Sequence, residues 1–171
     1  MNAHTLHLLQ QTTEYFNSQR QQNYLVGGSL RNILLGEAGN DWDIVTSGDA
    51  PSSARRLADK LGGHYVNMHD KASRVVVPLP EGTQNEEHEV IFDISRLRGN
   101  TIEEDLRQRD FTINAIAAPL DDVIRHLETG DPIRHIIDPL HGQADIEAHR
   151  PKPLIATSSG MIRYACCAPL A

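Results

Sequence analysis

The sequence predicts a single α/β domain built on a mixed sheet. Three observations carry that expectation. Apolar runs of strand length, such as Tyr24-Leu25-Val26 and Val90-Ile91-Phe92, alternate with stretches whose apolar residues recur at helical spacing. Glycine pairs and prolines, at Gly27-Gly28, Pro51 and Gly62-Gly63, fall between those stretches, where turns and helix ends belong. The 171 residues are 39% hydrophobic and 23% charged, a globular composition long enough for one ordinary core.

The first segment, His4 to Arg20, places Leu8, Leu9, Tyr15 and Phe16 on one helix face. Tyr24-Leu25-Val26 reads as a buried strand stopped by Gly27-Gly28. Ser29 can then cap a helix carrying Leu30, Ile33, Leu34 and Leu35, with Gly36 as its stop. Asp41 to Thr46 is the second strand. Pro51 suits the first turn of the next helix, which runs through Ala54, Leu57, Ala58 and Leu61 to Gly62-Gly63. Three strands follow, His64 to Met68, Arg74 to Leu79 and His88 to Ile94, with a polar loop or hairpin tip at Glu81 to Glu87. Thr101-Ile102-Glu103-Glu104 is a capping-box pattern opening a helix to about Arg109. Ile113 to Leu120 and Ile133 to Ile137 read as short strands or turns. Asp138-Pro139 breaks the chain before a final helix from Ala144 to His149. No internal repeat interrupts this pattern.

No stretch has the length of a membrane-spanning helix, and the start, Met1-Asn2-Ala3-His4, lacks the basic and apolar pattern of a secretory signal. A cytoplasmic address is expected. The formal net charge of −7 has the wrong sign for gripping nucleic acid by charge alone. Either the partner is no polyanion, or another domain supplies basic surface, or bound metal offsets local acidity. Cys166 and Cys167 are adjacent, so they neither clip a loop nor match a zinc spacing. The nine histidines are scattered without ligand spacing on one element and read as surface residues.

The sharpest chemical signal is Gly27-Gly28-Ser29-Leu30-Arg31 followed by Asp41-Trp42-Asp43. Residues two apart on a strand share a face, so the carboxylates of Asp41 and Asp43 project together while Trp42 and Ile44 face the other way. Paired hard oxygen ligands of this kind suit magnesium or manganese, and can hold two ions for phosphoryl transfer. Asp-x-Asp alone is a weak pattern, since solvated acids share it. The glycine corner changes the weighing. Without side chains, Gly27 and Gly28 let backbone N–H groups approach a phosphate, at a helix start that favours an anion. Arg31 on that helix is placed to meet phosphate or ribose.

Asp93 is an acid inside an apolar strand, and burial demands a partner. Three accounts stand side by side: it pairs with Arg96 or Arg98, it sits at a sheet edge, or it adds a third metal ligand beside Asp41 and Asp43. In Glu104-Asp105-Leu106-Arg107-Gln108-Arg109-Asp110-Phe111-Thr112-Ile113-Asn114-Ala115, Arg109 can bind a sugar or phosphate, while Asp110 and Asn114 can fix it or bond ribose. On chemistry alone that block reads as a helix end with local salt bridges and a polar cap.

Together these blocks resemble the polymerase-β-like nucleotidyltransferase superfamily, specifically the head of class II (bacterial-type) CCA-adding tRNA nucleotidyltransferases and poly(A) polymerases. The matching pieces are Leu25 to Asn32, Asp41 to Thr46, Arg109-Asp110-Phe111-Thr112-Ile113-Asn114-Ala115-Ile116-Ala117, and Ile137 to Ile146. The Arg-Asp-Phe-Thr-Ile-Asn-Ala block is the most specific. The resemblance implies a head domain over residues 1–148 that transfers CMP or AMP from CTP or ATP to the 3′ end of tRNA or another RNA. It implies Asp41, Asp43 and, less directly, Asp93 as catalytic metal ligands for two Mg2+ ions, with Mn2+ as a substitute. Gly27, Gly28, Ser29, Arg31, Arg109, Asp110 and Asn114 are implied in nucleotide binding. Poly(A) polymerase heads share every motif present, and a non-catalytic nucleotide-binding remnant is a different class of answer.

After Ile146 the family pattern would run on into helical neck, body and tail domains through an Asp-Pro-Leu-Arg-x-Leu-Arg segment. Residues 149–171 lack that match. One choice of codons for Met161 through Leu170, read in another frame, encodes Asp-Pro-Leu-Arg-Leu-Leu-Arg-Ala-Val. The tail is therefore expected to be a frameshift product, poorly ordered against the head, and the chain a truncated head with weak nucleotide binding and little turnover.

Overall fold

The computed structural model describes residues 3–80 and 88–148, and the backbone of 154–156 and 162–164. The expected loop at Glu81 to Glu87 and the two cysteines lie outside the described residues. So does most of the expected tail, within which β7 (Leu154–Ala156) and β8 (Ile162–Tyr164) pair antiparallel.

The chain opens with α1 (Ala3–Ser18), then β1 (Asn23–Val26), α2 (Gly27–Leu34), β2 (Asp41–Thr46) and α3 (Ala50–Leu61). Next come β3 (His64–His69), β4 (Ala72–Pro78), β5 (Glu89–Arg96) and α4 (Ile102–Leu106). A 3-10 turn (Thr112–Asn114), β6 (Ala117–Pro119), α5 (Leu120–Thr129) and α6 (Gly142–Glu147) complete the head. Six of the described strands form one sheet in the order β3-β4-β5-β2-β1-β6. Only the β2–β5 pairing within it is parallel, so the sheet is mixed as expected.

Strand alternation sorts the side chains into two cores. Leu25, Trp42, Ile44, Val75, Val77, Phe92 and Ile94 point to one face, where α1, α3 and α5 cover them. Val26, Val45 and Ala117 point to the other, against Ile102, Leu106 and Leu140. That second cover reaches only part of the sheet. On the same face Asp41 is exposed, and Asp43, Arg74 and Asp93 are half-buried. An open strip of sheet therefore carries the acids.

Most elements match their sequence expectation to within a residue or two. Pro51 and the left-handed Gly62 bound α3 as expected. Two elements differ. The helix expected to run to Arg109 stops at Leu106. Its cap holds, with Thr101 Oγ accepting from Glu104 N at 3.3 Å, but the Glu104 carboxylate accepts from Asn100 N at 2.7 Å rather than closing the box on Thr101. The span between Leu120 and Ile133, to which the sequence pattern assigns no element, forms α5. Asp121 and Asp122 stand in its first turn, Val123 and Ile124 face the core, and left-handed Gly130 ends it. Those signals were present in the sequence. The final helix starts at Gly142, where the Asp138 carboxylate accepts from Gly142 N at 2.7 Å and Gln143 N at 3.0 Å.

Asp122 ties α5 to the following loop. Its carboxylate meets Arg125 Nη1 at 2.9 Å and His135 Nδ1 at 2.6 Å. Burial pushes its pKa up, but the hydrogen bonds from His135 and Arg125 outweigh this and hold it below the ordinary carboxylate range. A depressed folded pKa stabilises at pH above the unfolded value of about 4 and the benefit disappears as pH falls through the folded value. Thermal melts of wild type and Asp122→Asn should therefore differ clearly at pH 6 and converge toward pH 3. A gap that is constant across that range would contradict the assignment.

Candidate active site

At the end of β1 the chain turns directly into α2. Val26 is the extended residue before the helix, with no side-chain cap, and Gly27 has φ +65°. Only glycine takes that conformation readily. The expectation that Ser29 caps the helix is not met. Ser29 lies within α2, and its buried hydroxyl donates to Asp43 Oδ2 at 2.9 Å while accepting from Asp43 N at 2.7 Å. Ser29 thus fixes one of the acids.

The glycine corner faces that acid. A Cβ added at Gly27 would lie 3.5 Å from Asp43 Oδ2 and 3.2 Å from Arg109 Nη1. At Gly28 it would lie 3.8 Å from Asp43 Oδ2 and 3.6 Å from Arg31 Nη2. Gly27, Gly28, Ser29, Arg31, Asp43 and Arg109 therefore converge, although they come from two helices' ends and a strand. Arg31 Nη1 donates to Asn114 Oδ1 at 2.8 Å, which brings Asn114 to the same place. Asp110 is exposed, with no side-chain partner seen among the described residues.

Arg109 owes its position to Asp105, which is 1% exposed. Asp105 Oδ2 accepts from Arg109 Nε and Nη2 at 3.1 and 3.0 Å, and Oδ1 accepts from Arg98 N at 2.9 Å. The local salt bridge expected of this block is thus present, and it aims the arginine at the corner. Asp105 had no assigned role in the sequence reading, yet its spacing of one helical turn before Arg109 is a visible signal. Behind it, Thr112 Oγ1 donates to buried Asp145 at 2.7 Å, anchoring the 3-10 turn to α6.

Asp41 and Asp43 lie on one face of β2 as expected, while Trp42 and Ile44 are buried on the other. Asp93 stands directly across from Asp43 in the parallel register. Its partner is Arg74, not Arg96 or Arg98: Arg74 Nε and Nη2 donate to the two Asp93 oxygens at 2.7 and 2.8 Å. The hydrogen bonds to Asp93 raise the Arg74 pKa, with burial opposing and the charges of Asp93, Asp41 and Asp43 adding to it. Arg74 was missed in the sequence, because strand register is needed to see it.

The donor set fits a hard divalent cation. Asp41 is exposed without a described side-chain partner, and Asp43 keeps Oδ1 beyond its bond to Ser29. Among the described residues no three His, Cys, Asp or Glu side chains close on a common point, since Asp93 is turned to Arg74. Among those residues, too, no helix is long and apolar enough to cross a membrane.

The mixed sheet, its helical cover and the glycine corner define a polymerase-β-like nucleotidyltransferase head. The poly A polymerase head domain matches residues 23–150. An A-adding tRNA nucleotidyltransferase of Halalkalibacterium halodurans is 30% identical over 151 residues, covering 82% of this chain and 33% of its own. A CCA-adding enzyme of Geobacillus kaustophilus is 35% identical over 130 residues, covering 72% of this chain and 28% of its own. Among solved structures, a CCA-adding enzyme complexed with CTP superposes with a TM-score of 0.66 at 29% identity, covering 86% of this chain and 33% of that one. The Thermotoga maritima CCA-adding enzyme complexed with tRNA gives 0.62 at 31%, covering 86% and 32%. The chain belongs to the poly A polymerase head family, and these relatives are tRNA nucleotidyltransferases. It spans about a third of the length of the curated relatives it matches.

Proposed function

We propose that this chain, over residues 1–148, is the catalytic head of a template-independent tRNA nucleotidyltransferase that adds CMP and AMP to tRNA 3′ ends. The reaction joins the RNA 3′-hydroxyl to the α-phosphate of CTP or ATP and releases pyrophosphate. The observation that carries this reading is the glycine corner set against Asp43, with Asp41 on the same face and Arg109 over Gly27.

Asp41 and Asp43 would hold two Mg2+ ions, or Mn2+ in their place, and Asp93 is the third carboxylate available on that face. When bound, the metal supplies positive charge that lowers the pKa of the attacking hydroxyl and neutralises the triphosphate. The protein's own groups do the rest. Ser29 orients Asp43. Gly27 and Gly28 leave room for phosphate against the backbone, and Arg31 and Arg109 meet its charge. Asp110 and Asn114 would bond the ribose. The chain's net charge of −7 fits a head that relies on metal, and on surface beyond this domain, to accept RNA. A cytoplasmic setting, where tRNA is processed, goes with this reading.

The test is incubation with tRNA lacking its 3′ end, labelled CTP and ATP, and Mg2+, beside a chain carrying Asp41→Ala and Asp43→Ala. Incorporation, expected to be slow, should occur only in the unsubstituted protein. Label entering with ATP alone as a long tract would favour poly(A) synthesis. Incorporation that persists in the substituted chain would rule out the metal assignment.

Gly27→Ala probes the corner separately. Positive φ disfavours alanine by roughly 1–2 kcal/mol, and the new methyl would press on Arg109. The melting temperature should drop by a few degrees, and the dissociation constant for Mg·ATP should rise about tenfold, about 1.4 kcal/mol. Unchanged nucleotide affinity in a folded variant would show that phosphate does not approach this glycine.

A further inference from the structure

Across the open face of the sheet, one row perpendicular to the strands reads Val66, Arg74, Asp93, Asp43. Adjacent strands lie about 5 Å apart, and Asp41 follows on the same face of β2. Three carboxylates therefore share a small area, with Arg74 beside Asp93 and with Arg31 and Arg109 at the glycine corner near Asp43. Arg74 meets both oxygens of Asp93 in a two-pronged fork, at 2.7 and 2.8 Å. The pair is only part-buried, with side chains 38% and 32% exposed. A two-pronged pair can add to stability, but one this open to water is screened, so holding the fold together does not by itself account for the fork.

We propose that Arg74 is a positioning residue that serves as the resting counter-cation of the acid face. It occupies Asp93 and keeps divalent-metal affinity low until a nucleoside triphosphate arrives. This rests on the reading of Asp41 and Asp43 as metal ligands. Without Arg74, Asp93 loses its paired cation and the face, more negative, attracts a divalent ion more strongly. With Arg74, an incoming ion meets a fixed positive charge and a third ligand already engaged. A triphosphate reverses the balance. Its oxygens supply the negative charge that the ion needs, and they offer Arg74 an alternative partner to Asp93. Metal and nucleotide then load cooperatively, which limits idle metal binding by the free protein.

The experiment titrates Mn2+ into the 171-residue chain, following the free-ion signal by electron paramagnetic resonance, with and without a non-hydrolysable ATP analogue. Arg74→Gln should bind Mn2+ about tenfold tighter than wild type when nucleotide is absent, and the gain in affinity that the analogue confers should shrink by a similar factor. Arg74→Lys keeps the charge and loses the fork, so it should fall between. Affinity in folded Arg74→Gln that is equal to or weaker than wild type overturns the proposal. If that variant melts well below wild type, the decision passes to the unsubstituted chain. There the Arg74 Nε–H resonance should shift when Mg2+ and the analogue are added together, and a resonance that stays in place overturns the proposal. Mn2+ binding that survives in the chain carrying Asp41→Asn and Asp43→Asn defeats the metal assignment instead. Absence of binding in every variant, with analogue present, defeats both.

Discussion

Replacing Asp43 with asparagine is expected to abolish divalent-metal binding at the glycine corner and to slow nucleotidyl transfer by at least about a thousandfold, about 4 kcal/mol of barrier. The reasoning is local. Asparagine keeps an oxygen that can accept from Ser29 Oγ, the contact now made at 2.9 Å, so the side chain stays where it is. What disappears is the charge. That charge now stands beside Asp41 on the same strand face and across from Asp93, like charges whose repulsion Arg74, Arg31 and Arg109 only partly offset. The melting temperature of Asp43→Asn should accordingly equal or exceed that of wild type. This is the pattern expected of a group kept for chemistry at the expense of stability. Mn2+ titration and a thermal melt on the same preparation check both halves. Full metal affinity in the variant would contradict the role, and a melt lowered by many degrees would show that Asp43 serves the fold instead.

Asp105→Ala should produce the largest loss of stability among the site residues, about 3–5 kcal/mol, or roughly 10 °C in melting temperature for a domain of this size. Asp105 is 1% exposed and satisfies three donors, Arg98 N and two nitrogens of Arg109. Truncation leaves a partly buried guanidinium and a backbone N–H without their acceptor. The effect should reach the nucleotide. Arg109 stands over Gly27 because Asp105 grips its far side, so a freed Arg109 would sample other rotamers and Mg·ATP affinity should drop. Asp105→Asn separates the two effects. It can still accept from Arg98 N but loses the charge that holds Arg109, so it should recover part of the stability and less of the affinity. Calorimetric melts with ATP titrations on both variants provide the measurement. Equal affinity in all three proteins would show that Arg109 does not reach the nucleotide.

Much of this site was legible along the chain because its signals are local. A period of two places Asp41 and Asp43 together and Trp42 with Ile44 behind them. Gly27-Gly28 marks the corner, where Gly27 takes a left-handed conformation that favours glycine. The i, i+4 spacing of Asp105 and Arg109 was equally visible, and α5 carried its own acidic start and glycine stop between Leu120 and Gly130. Both are local patterns, sufficient in themselves to find these features.

Other features were not written locally at all. Ser29 looked like a helix cap because its neighbours resemble one; it bonds Asp43 instead because α2 packs beside β2. Asp93 needed a cation, and the nearest arginines along the chain were Arg96 and Arg98. The one it meets is Arg74, on the neighbouring strand. Pattern along a chain fixes which face a side chain takes, since that follows from backbone geometry one residue at a time. Which residue stands opposite depends on strand register and order, set by the burial of Val75, Phe92, Ile44 and the rest of the core together, and only the folded sheet decides that.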